Sequence, residues 1–85
     1  MECRFTEGNG NLKDIESKID ENTKLIYVET IGNPSYQTPD FEALVALANK
    51  YELPIFCDNT CGMCGYTCRP IKHGAHVIVA SATKW

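Results

Sequence analysis

Three short apolar runs, Leu25-Ile26-Tyr27-Val28, Leu53-Pro54-Ile55-Phe56-Cys57 and Val77-Ile78-Val79-Ala80, constrain this chain more than any other feature. Each is continuous rather than alternating and is bounded by polar or Gly/Pro-bearing segments, the pattern of strands buried on both faces of a parallel sheet. Parallel neighbours need a crossover, and the first is predicted as a helix opened by Pro39 and Asp40 and running to about Tyr51. Proline at the first helical position and acids in the first turn suit the free N–H groups and the dipole there. Phe41, Leu44, Val45 and Ala48 would form its inner face, and the crossover should be right-handed. An earlier short helix is predicted from Leu12, Ile15 and Ile19 at helical spacing, with Asn11 as cap and Asp14 three residues on. Glu2 to Phe5 reads as a short strand and Thr6-Glu7-Gly8-Asn9-Gly10 as a turn. Residues 59–76, rich in cysteine and glycine, show no helical period. The expectation is an α/β unit of parallel strands with at most two helices, which would leave one sheet face bare.

Composition removes several function classes. A net charge of −3 with scattered lysines offers no basic stripe for nucleic acid or an anionic membrane. The apolar runs fall far short of the roughly 20 residues that span a bilayer, and the N-terminus has no signal-like apolar core. A soluble, cytoplasmic chain is expected. Five cysteines, an odd count without a secretory signal, fit reduced thiols better than a disulfide framework.

In open parallel sheets, ligands collect beyond the carboxyl ends of the strands, where Asn33, Asp58 and Lys84 all fall. Lys84 lies just past the third run, in Ser81-Ala82-Thr83-Lys84-Trp85, flanked by two hydroxyls. An amine in that position is suited to a covalent imine with an aldehyde cofactor, with burial keeping it partly neutral. Asp58 ends the second run in Asp58-Asn59-Thr60. An amine at one strand end and a carboxylate at its neighbour form the pair that pyridoxal phosphate needs, the carboxylate keeping the ring nitrogen protonated. Plainer roles exist for each residue: Lys84 as an exposed terminal charge, Asp58 as a turn aspartate, Asn33 as a turn former before proline, and Ser81 and Thr83 as ordinary turn residues.

Four motifs occur in one order: Glu29-Thr30-Ile31-Gly32-Asn33-Pro34, Asp58-Asn59-Thr60, Arg69-Pro70-Ile71-Lys72-His73-Gly74-Ala75 and Ser81-Ala82-Thr83-Lys84-Trp85. With them, Thr23 to Trp85 resembles the cysteine/methionine-metabolism family of pyridoxal-phosphate enzymes. Within it the resemblance is to the O-acetylhomoserine sulfhydrylases, whose loop after Asp-Asn-Thr is glycine-rich and ends in Gly-Tyr, as Gly62 through Tyr66 does. The resemblance implies a fold-type I α/β large domain, mostly parallel with flanking helices, of which residues 1–85 would be a part truncated at both ends. It implies pyridoxal phosphate as cofactor, an amino-acid substrate like O-acetylhomoserine, sulfide as acceptor, and a homo-oligomer with shared active sites. In the implied γ-replacement, Lys84 removes the Cα proton, acetate leaves from Cγ and sulfide adds to give homocysteine. Asp58 would face the ring nitrogen, Ser81 and Thr83 the phosphate, and Asn33 the ring oxygen and substrate carboxylate, with Thr60 and Glu29 at most behind them.

The chain departs from the family pattern at Cys61, where an aromatic residue is usual, at His76, where an acid is usual, and at Ala80, where a polar residue is usual. It has no segment matching the family's upstream glycine-containing phosphate loop, ring-stacking tyrosine, neighbouring-subunit tyrosine and arginine, or late carboxylate-clamping arginine. Turnover by this chain alone is therefore not expected. Two other readings compete. Cys57, Cys61 and Cys64 have the C-x3-C-x2-C spacing of an iron–sulfur site, and Cys61, Cys64, His73 and His76 supply zinc-type ligands at unusual spacing. A non-catalytic fragment could instead pair with a partner subunit through its bare sheet face.

Overall fold

A computed structural model describes residues 1–7 and 10–84, with the side chain of Cys64 outside that description. The order of elements is α1 (Leu12–Ser17), β1 (Ile26–Glu29), α2 (Phe41–Lys50), β2 (Ile55–Asp58) and β3 (Val77–Val79). Single 3-10 turns occupy Met63–Gly65, Pro70–His73 and Ala82–Lys84. The sheet order is β1-β2-β3, and both pairings are parallel. The three apolar runs thus form the expected parallel sheet.

Register and alternation fix what each face carries. Tyr27 pairs with Phe56 and Phe56 with Val77, while Glu29 pairs with Asp58 and Asp58 with Val79. These six side chains share one face. Ile26, Ile55 and Cys57 point the other way and form a buried cluster with Leu44 and Ala48 of α2, Leu53 and Ala75. Leu12, Ile15 and Ile19 pack against that cluster, so both helices serve the same face. Ile55 and Ala48 have 0% exposure and Leu44 has 1%; a fully buried leucine or isoleucine contributes about 1.5–3 kcal/mol. On the opposite face Tyr27 is 55% exposed, Val77 36% and Val79 37%. Two helices on one side do leave the other side open among the described residues.

Local details differ from expectation for identifiable reasons. Pro39, expected at the first helical position, lies outside α2, because Asp40 is the cap: its carboxylate accepts the Ala43 N–H at 3.1 Å. Leu47 joins Leu44 and Ala48 as a buried residue of that helix. Glu2 to Phe5 form no strand; Arg4 instead donates to Glu2, to the Lys18 carbonyl and to Asp20, tying the segment to the end of α1. The expected turn over residues 6–10 includes Gly8 and Asn9, which lie outside the described residues. No helix is long and apolar enough to cross a membrane among the described residues.

Candidate functional site

The carboxyl ends of β1 and β2 and the turn after β3 converge on one cleft of ≈ 510 Å³, lined by Glu29, Ile31, Asn33, Asp58, Thr60, Cys61, Ser81 and Lys84. Asn33, Asp58, Ser81 and Lys84, all expected from sequence, are brought together there. Thr83 is not among the lining residues, but its hydroxyl is 2.8 Å from that of Ser81.

Asp58 is held from two sides. Its Oδ1 accepts both the Thr60 N–H at 3.0 Å and the Thr60 hydroxyl at 2.6 Å, a turn closed by an aspartate on the residue two positions on. Its Oδ2 accepts the Tyr27 hydroxyl at 3.3 Å, long for an O–H···O contact. One oxygen is therefore saturated and the other keeps capacity for a further donor. The Thr60 hydroxyl bond, with the Thr60 N–H and Tyr27 adding to it, holds the carboxyl below its ordinary range against the opposing effect of burial. Tyr27 is its counterpart: burial, then the nearby Asp58 charge, pushes the phenol up, so it remains a donor. Asp58 thus serves as a turn aspartate and also presents an ionised oxygen, two roles that are compatible.

Two further contacts shape the cleft. Asn33 donates its backbone N–H to Glu29 Oε2 at 3.1 Å, folding the loop after β1 back on its strand end. The Ser81 N–H donates to the Thr60 hydroxyl at 2.9 Å, which joins the β3 turn to the β2 end. Beneath, Asn59 is 3% exposed; its Oδ1 accepts from Thr30 at 2.6 Å and its Nδ2 donates to the Cys68 carbonyl at 3.0 Å.

One expectation is corrected. Lys84 is exposed, not buried, because the sheet face on which the cleft opens has no covering layer among the described residues. Thr60, expected at most behind the cofactor contacts, lines the cleft and bonds both Asp58 and Ser81. The aspartate–hydroxyl spacing of Asp58 and Thr60 is a local signal from which the first bond could have been read, while the second depends on β2–β3 pairing that no local pattern encodes.

Cys57 and both histidines have structural partners, while the side chain of Cys64, on which both metal readings also rest, lies outside the described residues. Cys57 is fully buried on the helix-covered face, 3.3 Å from the Thr30 hydroxyl, and burial pushes its thiol up, away from the thiolate a metal requires. Cys61 is exposed and lines the cleft. His73 stacks on Phe41 at 5.9 Å, and His76 Nδ1 accepts the Ile55 N–H at 3.0 Å. Among the described residues, no three His, Cys, Asp or Glu side chains are grouped to hold a metal ion.

The donor set fits a pyridoxal-type group: an ionised acid with a spare oxygen, an amine and a hydroxyl line one cleft, with a second hydroxyl bonded to the first. A family model described as Cys/Met metabolism PLP-dependent enzyme matches residues 1–85. Homocysteine/cysteine synthase of Saccharomyces cerevisiae is 53% identical over 85 residues, covering 100% of this chain and 19% of that protein. O-acetyl-L-homoserine sulfhydrylase 1 of Thermus thermophilus is 40% identical over 85 residues, covering 100% of this chain and 20% of that protein. The crystal structure of a putative O-acetylhomoserine (thiol)-lyase from Campylobacter jejuni superposes with a TM-score of 0.72 at 36% identity, over 84% of this chain and 17% of that one. That crystal structure carries an N′-pyridoxyl-lysine-5′-monophosphate residue. The chain spans about a fifth of the length of the two curated relatives. With an α/β scaffold, a matching family pattern over its whole length and a donor set suited to the group, the chain belongs to the Cys/Met metabolism family of PLP-dependent enzymes.

Proposed function

We propose that this chain is the cofactor-holding part of a trans-sulfuration enzyme of the O-acetylhomoserine sulfhydrylase type, which replaces acetate at Cγ of O-acetylhomoserine with sulfide to give homocysteine. The observation that carries this reading is the convergence of Asp58 and Lys84 on one cleft at the carboxyl ends of a parallel sheet. Lys84 would hold the cofactor's aldehyde carbon and later move the proton at the substrate Cα. The ionised Asp58 would keep the ring nitrogen protonated through Oδ2, Ser81 and Thr83 would donate to the phosphate, and Asn33 would reach the ring oxygen and the substrate carboxylate. When bound, pyridoxal phosphate supplies an electron sink for the charge left at Cα.

Residues 1–85 act in this reading as a partial large domain within a soluble, cytoplasmic homo-oligomer. Lys84 is exposed and one sheet face is open, so the water exclusion and positioning needed for turnover must come from outside the described residues. Binding without turnover is the activity expected of this chain alone. Incubation with pyridoxal phosphate, borohydride reduction and peptide mass mapping should find the pyridoxyl adduct on Lys84. An unmodified Lys84, or labelling spread evenly over the other lysines, would overturn the assignment.

A further inference from the structure

We propose that Thr60 is the positioning residue that holds the Asp58 carboxylate and the Ser81–Lys84 turn at one fixed spacing, so that the acid and the amine meet the same cofactor. The inference rests on the functional reading above. One hydroxyl does both jobs: it donates to Asp58 Oδ1 at 2.6 Å and accepts from the Ser81 N–H at 2.9 Å. Thr60 also closes the Asp58 turn through its own N–H at 3.0 Å. The Asn59 N–H donates to the Val79 carbonyl at 2.8 Å, so the two strand ends are already in register when the hydroxyl bridges them.

The bridge has a direction. A hydroxyl that accepts from an amide is polarised toward donation, and its donation goes to a carboxylate, which strengthens the bond. Because both Thr60 donors fall on Oδ1, a ring N–H is left to Oδ2, where Tyr27 makes a long contact. Thr60 thereby selects which Asp58 oxygen faces the cofactor. The Thr60 hydroxyl is also the largest influence lowering the Asp58 carboxyl.

The test compares Thr60→Val, which keeps the shape and loses the hydroxyl, with Thr60→Ser, which keeps the hydroxyl. Two readouts are taken on the full chain: the Asp58 carboxyl titration by carbon NMR without cofactor, and the Lys84 adduct yield at sub-saturating pyridoxal phosphate. T60V should raise the Asp58 midpoint and lower the adduct yield about tenfold, the factor expected for one charge-assisted hydrogen bond. T60S should restore both. An Asp58 midpoint unchanged in a folded T60V, or an adduct yield in T60V equal to wild type, overturns the proposal. If T60V does not fold, the wild type decides: the Ser81 amide shift must follow the Asp58 midpoint, and a Ser81 amide insensitive to it overturns the proposal. A wild-type chain that forms no Lys84 adduct overturns the functional reading instead, and the Asp58 titration then judges Thr60 alone.

Discussion

Gly62→Ala isolates the support beneath the cleft, because two physical effects predict opposite signs. Gly62 has φ −80° and ψ 8°, a conformation any residue adopts, so backbone entropy alone makes alanine stabilising by about 0.4–1 kcal/mol. The space around it says the reverse. A Cβ there would lie 2.6 Å from Asn59 Cγ and 3.0 Å from Asn59 Nδ2, so the buried carboxamide must move. Moving it breaks the Thr30 bond at 2.6 Å and the bond to the Cys68 carbonyl at 3.0 Å. Each buried partner left unsatisfied costs about 1–3 kcal/mol, so after partial relaxation the net loss should be about 2–4 kcal/mol. That is a large share of the roughly 4–13 kcal/mol typical for a chain of this length. Equilibrium urea unfolding, with the slope checked for constancy, measures it. A G62A variant as stable as wild type or more so would refute the steric account. In an Asn59→Ala background the clash is gone, and G62A should become neutral or stabilising, a coupling that a double-mutant cycle reads directly.

Other perturbations probe separate contacts. Gly74 has φ +104°, and a Cβ added there would lie 2.5 Å from Val45 Cγ2, so Gly74→Ala should cost more than about 2 kcal/mol in urea unfolding, with Val45→Ala rescuing only the steric part. Asp58→Asn should be destabilising at neutral pH: the folded carboxyl is lowered, so its stabilisation is present above the unfolded value of about 3.9 and vanishes as pH falls through the folded value. Unfolding curves of variant and wild type should converge in acid, and a gap independent of pH would contradict the assignment. His76→Ala removes the acceptor for the Ile55 N–H and should cost about 1–3 kcal/mol while speeding exchange of that amide. An Ile55 amide equally protected in H76A would show that the imidazole is not its acceptor.

The strands were legible because each run carries apolar residues at nearly every position on both faces, although among the described residues only one of those faces is covered. Their ends were less so. Leu53 and Pro54 continue the apolar run but precede β2, and Pro54 contributes a carbonyl to the Ile26 N–H at 3.0 Å rather than an N–H of its own. The Asp58 and Lys84 positions followed from strand ends, since topology alone sends both to the carboxyl side of the sheet. Thr60 as a bridge did not, because its second bond is made to a residue 21 positions away. His76 looked from sequence like the loss of an acid, yet its Nδ1 supplies an acceptor at the start of β2. Cysteine spacing misleads for a related reason: Cys57 is buried in the core while Cys61 is exposed at the cleft, a division that counting residues cannot express.

The same alternation that buries Cys57 obliges Asp58 to face away from the helices, so the chemistry and the uncovered apolar surface occupy one side of the sheet. Tyr27 connects the two: its ring belongs to that open face and its hydroxyl reaches Asp58 Oδ2. Acid–ring contacts gain strength as water is excluded, and here the surrounding surface of Tyr27, Phe56, Val77 and Val79 is apolar but wet. Covering that face would therefore act on stability and on the site together, by removing apolar area from water and by lowering the dielectric around the one Asp58 oxygen with capacity to spare. If Asp58 holds the cofactor ring as proposed, cofactor affinity and the covering of this face should consequently rise in parallel, since both depend on the orientation that a two-residue repeat imposes on β2.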